Sequence, residues 1–223
     1  MGALSLVMAC DRRPKGPLTP ASSNPNAYQL VTGDDQEGHR SHWDGVFNKQ
    51  TYVYGKEPAS VLRDHVGLLP VGGRALELAM GEGRNAVFLA KKGFIVDGVD
   101  ISEVALRKAK RLARENGVSI TTINADLEQY QIRPEAYDVI VVIDYLQRSL
   151  VSQIKRGLKR GGVIIWEGMT EQQIKNAGGA GLRRDALLRA GELREFFREF
   201  ETLHYLENND GKRAKAELVA RKP

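Results

Sequence analysis

Residues 75–85 read ALELAMGEGRN, and Asp100 closes the apolar run that follows one helix later. An apolar stretch carrying Glu77 leads to Gly81 and Gly83, and a helical pattern starts at about Arg84. A strand that feeds a glycine turn and then a helix lets the backbone approach a ligand closely and leaves free N–H groups at the helix start. Asp100 stands where doubly wound sheets place the carboxylate that accepts hydrogen bonds from ribose hydroxyls. The chemistry implied is the holding of a nucleoside cofactor, with its identity still open.

Positioning these groups requires a regular α/β frame, and the sequence supplies one. Strands are expected over 74–79, 95–100, 120–124, 137–143 and 163–167, with helices over 83–92, 102–116, 149–159 and 191–200. Ser102 and Gly117 are expected to cap and stop the second of these helices. The run 137–143 is apolar throughout, as suits a central strand covered on both faces. Two strand-like stretches, 201–207 and 215–221, flank Asn208, Asn209, Asp210 and Gly211, a hairpin signal. The fold class expected is therefore α/β: a doubly wound, Rossmann-like sheet, mostly parallel and of about seven strands, with an antiparallel C-terminal hairpin. Upstream, helices are expected over 41–49 and 58–69, separated by the aromatic loop Tyr52, Val53, Tyr54, Gly55. Residues 1–40 read as a disordered leader and 41–223 as one domain, with 41–70 forming lid helices.

Composition narrows the function classes. The chain has 223 residues and a net charge of +5, but the basic residues are dispersed, as in the helical stretch 107–114, which favours a solvated helix face over a nucleic-acid surface. A single cysteine, Cys10, excludes an internal disulfide and a cysteine-based zinc site, and the four histidines lack metal-ligand spacing, so no metal is expected. The apolar run 3–9 is too short to span a bilayer. With Cys10 it weakly resembles a lipoprotein cleavage box, the minor alternative to a cytoplasmic protein.

Taken together, ELAMGEGRN, VDIS, NADL, YDVIVVI and LKRGGVIIWEG resemble the class I S-adenosylmethionine-dependent methyltransferases, and most of all the small tellurite-resistance and thiopurine types. The resemblance spans about His42 to Lys222. It implies that Glu77 holds the amino group of the cofactor's methionine part, that Ala79, Gly81 and Gly83 form the turn beneath it, and that Asn85 donates to the methionine carboxylate. Asp100 would take the ribose hydroxyls, Ile101 would pack on the adenine, Asp126 would accept from the adenine amino group, and the Leu127 N–H would meet a ring nitrogen. Ala79 and Met80 stand where the family usually has glycine and a smaller residue, and Met80 is expected to narrow the pocket. Ile143, Asp144 and Tyr145 would follow the strand that ends beside the transferred methyl. Trp43 and Tyr54 would belong to a lid over the cofactor, whereas Tyr52 is expected to pack the first helices onto the sheet.

A nucleic-acid amino-methyltransferase would show an Asn/Asp-Pro-Pro-Tyr/Phe box at Asp144, Tyr145 and Leu146, so a small-molecule acceptor is expected and no nucleic-acid or membrane partner. The protein is expected as a monomer or homodimer. The acceptor expected is a soft nucleophile, a thiol or a selenium or tellurium oxyanion, which needs no general base; if one is needed, Asp144 or Tyr145 stands in position. Arg148, Arg183 and Arg184 could attract an anion. Alternatives stay open: a non-catalytic cofactor-binding module, an NAD-binding oxidoreductase read from GEGRNA, and an aminopropyl transferase. The last two would normally bring further domains.

Overall fold

The computed structural model describes residues 36–176, 179 and 181–223. The Cys10 alternative and most of the expected leader lie outside them. Helix α1 spans Gln36–Phe47, and the single helix expected over 58–69 is instead α2, Ser60–Asp64, followed by a 3-10 turn, Val66–Leu68. His65 lies between them in a non-helical conformation, and its Nδ1 lies 2.9 Å from the Val61 carbonyl oxygen.

The sheet strands are β1 Gly73–Leu78, β2 Phe94–Asp100, β3 Thr121–Asn124, β4 Tyr137–Ile143, β5 Leu158–Met169, β6 Glu201–Asn209 and β7 Ala214–Arg221. They lie in the order β3-β2-β1-β4-β5-β7-β6, the first five parallel and β7 antiparallel to both of its neighbours, β5 and β6. The helices between them are α3 Arg84–Lys91, α4 Glu103–Glu115, α5 Leu150–Gly157 and α6 Glu192–Phe196. β5 begins five residues before the strand expected at Val163, because Leu158 already pairs with Tyr137; the register then shifts, Gly161 turning left-handed and Gly162 lying against the Asp138 backbone, and regular pairing resumes at Val163. α6 ends at Phe196, short of the helix expected to residue 200, and Phe197 and Phe200 pack edge-to-face with centroids 5.4 Å apart.

Strand alternation builds the core. Ala75, Val139, Val141, Val163 and Ile165 face α2, α3 and α4, whereas Leu76, Leu78, Ile140, Val142, Ile164 and Trp166 face α5 and α6. Both faces are thus dry, and polar groups collect at the strand ends. Sequence order reverses between β1 and its two neighbours, β2 and β4, so the crevice of a doubly wound sheet must open at the carboxyl ends of these strands. No helix among the described residues is long and apolar enough to cross a membrane.

Candidate functional site

A cavity of about 550 Å³ lies at that crevice, of a size that suits a nucleoside with a small second ligand. Its floor comes from the strand ends: Glu77 and Ala79 from β1, Asp100 and Ile101 from β2, Asp126 and Leu127 after β3, and Ile143, Asp144 and Tyr145 from β4. α1 contributes His39, Trp43 and Phe47, and the following loop contributes Tyr54; the end of β5 contributes Met169, and the segment after it Leu182, Arg183, Asp185, Ala186 and Leu187.

The glycine turn has two different physical reasons. Gly81 has φ +54° and its N–H donates to Asp100 Oδ2 at 2.7 Å. Gly83 has φ +84°, and a Cβ there would meet the Ala109 Cβ at 2.7 Å, so it lets α3 and α4 pack closely. Met80 lines the cavity beside the turn. Its sulfur fills the space above Gly98, where a Cβ would lie 2.0 Å from it, and the residue is 3% exposed. Ala79 and Asp144 both hold positive φ, +53° and +57°, at the ends of adjacent strands β1 and β4. Such conformations are unfavourable for side-chain-bearing residues and cluster at functional sites.

Three carboxylates stand on successive strand ends. Glu77 is buried, its Oε1 accepts from Asn85 Nδ2 at 2.8 Å, and its Oε2 has no partner. Burial pushes its carboxyl up to about 8, against the pull of the Asn85 hydrogen bond. Asp100 accepts from the backbone of Ser102 at 2.8 Å as well as from Gly81; burial pushes it up to about 6, and these two N–H groups pull it down. Asp126 accepts from the Glu128 N–H through Oδ1 at 2.9 Å, while Oδ2 is buried without a partner. Asn85 also lines the cavity: its carbonyl accepts from Ala59 N at 2.8 Å, and its amide donates to Glu77 at 2.8 Å.

At the β4–β5 end, Asp144 is ion-paired with Arg213, which also donates to Glu167 at 3.0 Å. Burial, then the Asp126 charge, raises the Tyr145 phenol, which donates to Gln147 Oε1 at 2.6 Å. Of the expected cations, Arg183 is exposed and paired with Asp185, and Arg148 works structurally, forking onto Glu192 and bonding the carbonyls of Asp185 and Leu187.

The residues expected to form a lid make an aromatic ladder: Trp43 stacks on Phe47 with centroids 5.8 Å apart, and Phe47 meets the Tyr54 ring at 6.2 Å. Tyr52 instead turns toward α4, its hydroxyl donating to the Lys108 carbonyl at 3.2 Å. Asp44, Glu82 and Lys108 were not singled out from the sequence. Asp44 Oδ1 accepts from Ser102 Oγ at 2.6 Å and from Val104 N at 3.2 Å, and Glu82 and Lys108 form a buried ion pair. A lysine within a helix of alternating basic residues carries no sequence signal of burial. Glu82, between two motif glycines, carried the only available hint.

Residues 75–162 match the protein family described as "Methyltransferase domain". The 23S rRNA (uracil(747)-C(5))-methyltransferase of Pyrococcus abyssi is 33% identical over 90 residues, covering 40% of this chain and 21% of that one. The ubiquinone biosynthesis O-methyltransferase of Vibrio cholerae is 26% identical over 156 residues, covering 67% and 62%. The chain thus spans less than two thirds of the length of these curated relatives. Among solved structures, TehB from Haemophilus influenzae superposes with a TM-score of 0.63 at 22% identity, covering 82% of this chain and 67% of that one. An S-adenosylmethionine-dependent methyltransferase from Mesorhizobium loti gives 0.59 at 18%, covering 74% and 98%. These likenesses are of fold.

Proposed function

We propose that this chain, a class I S-adenosylmethionine-dependent methyltransferase by its matched domain and its fold, methylates a small molecule bound at the β4–β5 end of the cavity. One observation carries the reading: Asp126, Asp100 and Glu77 stand on three neighbouring strand ends, and Glu77 Oε2 and Asp126 Oδ2 are buried oxygens without partners. Adenine amino group, ribose hydroxyls and methionine ammonium are donors that follow one another along the cofactor in that order. A carboxylate at Glu77 fits an ammonium and opposes the pyrophosphate that NAD would bring to the same turn. The cofactor supplies an electrophilic methyl on a sulfonium. The protein's work is to orient donor and acceptor and to exclude water, which the aromatic lid and the apolar Met169, Leu182 and Leu187 suit.

Asp144 is engaged by Arg213 and Tyr145 by Gln147, so the groups at the acceptor end are committed to one another. That suits an acceptor that arrives already ionised, a thiolate or a reduced selenium or tellurium oxyanion. The relative named for 23S rRNA shares only 40% of this chain and 21% of its own length, which does not carry its substrate over, and the absence of the Pro-Pro box of nucleic-acid amino-methyltransferases favours a small molecule over base amino-methylation. We place the activity in the cytoplasm, where the cofactor is made.

Calorimetric titration with S-adenosylmethionine, S-adenosylhomocysteine and NAD tests the reading. The two sulfur nucleosides are expected to bind at micromolar Kd, and Asp100→Ala to weaken them about 100-fold. Binding of NAD alone, or of none, overturns it.

A further inference from the structure

The lid is not held by its aromatic residues alone. Lys108, 7% exposed on the inner side of α4, reaches across to the turn after α1, where its Nζ donates to the carbonyls of Phe47 at 3.2 Å, Lys49 at 3.0 Å and Thr51 at 2.7 Å. The Phe47 carbonyl closes α1 and also accepts from Lys49 N at 2.7 Å, while Lys49 and Thr51 belong to the exposed stretch that follows. It is the buried ammonium that requires these acceptors, and meeting that need draws the stretch onto α4. The same ammonium pairs with Glu82, 4% exposed, whose other oxygen accepts from Val53 N at 2.6 Å and from Tyr54 N at 3.4 Å. One buried ion pair therefore holds both carbonyls and amides of the segment that presents Tyr54 to the cavity.

Glu82 is also the residue between Gly81 and Gly83, and the Gly81 N–H holds Asp100. Lid backbone, glycine turn and the carboxylate at the end of β2 are thus connected through consecutive atoms. A buried pair of this kind contributes little net stability, since desolvation offsets its attraction, so its placement is better explained by the geometry it imposes. We propose that Glu82 and Lys108 are positioning residues that fix the lid relative to the cofactor turn, so that the ordering of residues 47–54 sets cofactor affinity. The inference rests on the cofactor reading given above.

The test compares Lys108→Met, Glu82→Gln and Lys108→Arg with the unaltered chain in two measurements. Hydrogen exchange of the Val53 and Tyr54 amides without cofactor reads lid order directly, and calorimetry with S-adenosylhomocysteine reads affinity. Glu82→Gln keeps an oxygen for the two amides and removes only the charge that holds Lys108, so it remains informative if Lys108→Met fails to fold. Both variants are expected to raise exchange at Val53 and Tyr54 and to weaken S-adenosylhomocysteine about 10- to 100-fold, with Lys108→Arg recovering part of each. Lys56→Ala, which breaks the exposed pair with Glu115 further along α4, is expected to leave both unchanged. Unchanged exchange overturns the proposal, and so does faster exchange at unaltered affinity, which would make the pair merely structural. Failure of the unaltered chain to bind the nucleoside would instead overturn the cofactor reading, and the exchange data would still decide whether the pair orders the lid.

Discussion

A carboxyl that is fully buried yet keeps one oxygen without a partner, as Glu77 does, is unfavourable in the ligand-free protein and becomes favourable when an ammonium reaches it. Its two consequences have opposite signs. The folded-state value of about 8 lies above the ordinary 4.5, so the contribution of the neutral group is fully present below the ordinary carboxylate range. It is lost as pH rises through about 8, where the folded protein must bury a charge. Glu77→Gln keeps the hydrogen bonding of a neutral group and cannot ionise. It is expected to raise the Tm of the ligand-free protein at pH 9 by about 4 °C or more, with little change at pH 5. The same substitution is expected to weaken S-adenosylhomocysteine about 100-fold, through loss of a charged hydrogen bond. Melting curves at the two pH values and one titration check it; a variant that binds normally would mean the orphaned oxygen faces no ammonium.

The elements that make the cofactor half were legible because each is written locally. β1, β2 and β4 are continuous apolar runs, Ser102 caps α4 by accepting from Ala105 N at 3.1 Å, and Gly83 and Gly117 sit where the chain turns left-handed. The lid and the acceptor wall were less legible because their order comes from long-range polar contacts. Lys108 is separated from the carbonyls it holds by more than fifty residues of chain, and Arg148 from the loop it ties down by nearly forty. Arg148 makes the sharper case. Its guanidinium, rather than attracting a substrate, forks onto Glu192 at 2.8 and 2.9 Å and holds the Leu187 carbonyl at 3.0 Å, fixing residues 185–187 at the cavity wall. Lysine cannot reproduce a planar fork. Arg148→Lys is therefore expected to loosen this wall and raise the acceptor KM about tenfold, while leaving the Kd for S-adenosylhomocysteine within twofold, about 0.4 kcal/mol. A change in cofactor affinity of equal size would place Arg148 on the wrong half of the site.

On the scale of the whole molecule, the last strand is an interior one. β7 lies between β5 and β6, with Leu218, Val219 and Ala220 fully buried, so the C-terminal hairpin brings its charged residues to the site from the far end of the chain. His204 lies 3.2 Å from Glu217, Glu217 pairs with Lys215, Lys215 with Glu167 at 2.8 Å, and Arg213 bridges Glu167 and Asp144. Burial, then the neighbouring Asp144 charge, already pushes the Glu167 carboxyl up, and Arg213 opposes this. A raised carboxyl contributes fully below the ordinary range and loses that contribution as pH rises, so the demand for Arg213 grows with pH. Arg213→Met leaves Asp144 and Glu167 facing each other and should cost about 1–2 kcal/mol at pH 8 and less at pH 5, where Glu167 is more readily neutral. Without Arg213 the Glu167 carboxyl beside Asp144 is pushed further up, so the acid limb of the methyl-transfer pH profile is expected to move to higher pH, with cofactor Kd unchanged. Melting at the two pH values and a pH-rate profile measure both effects. An equal loss of stability at pH 5 and pH 8, with an unmoved profile, would show that the hairpin only closes the sheet and does not tune the acceptor end.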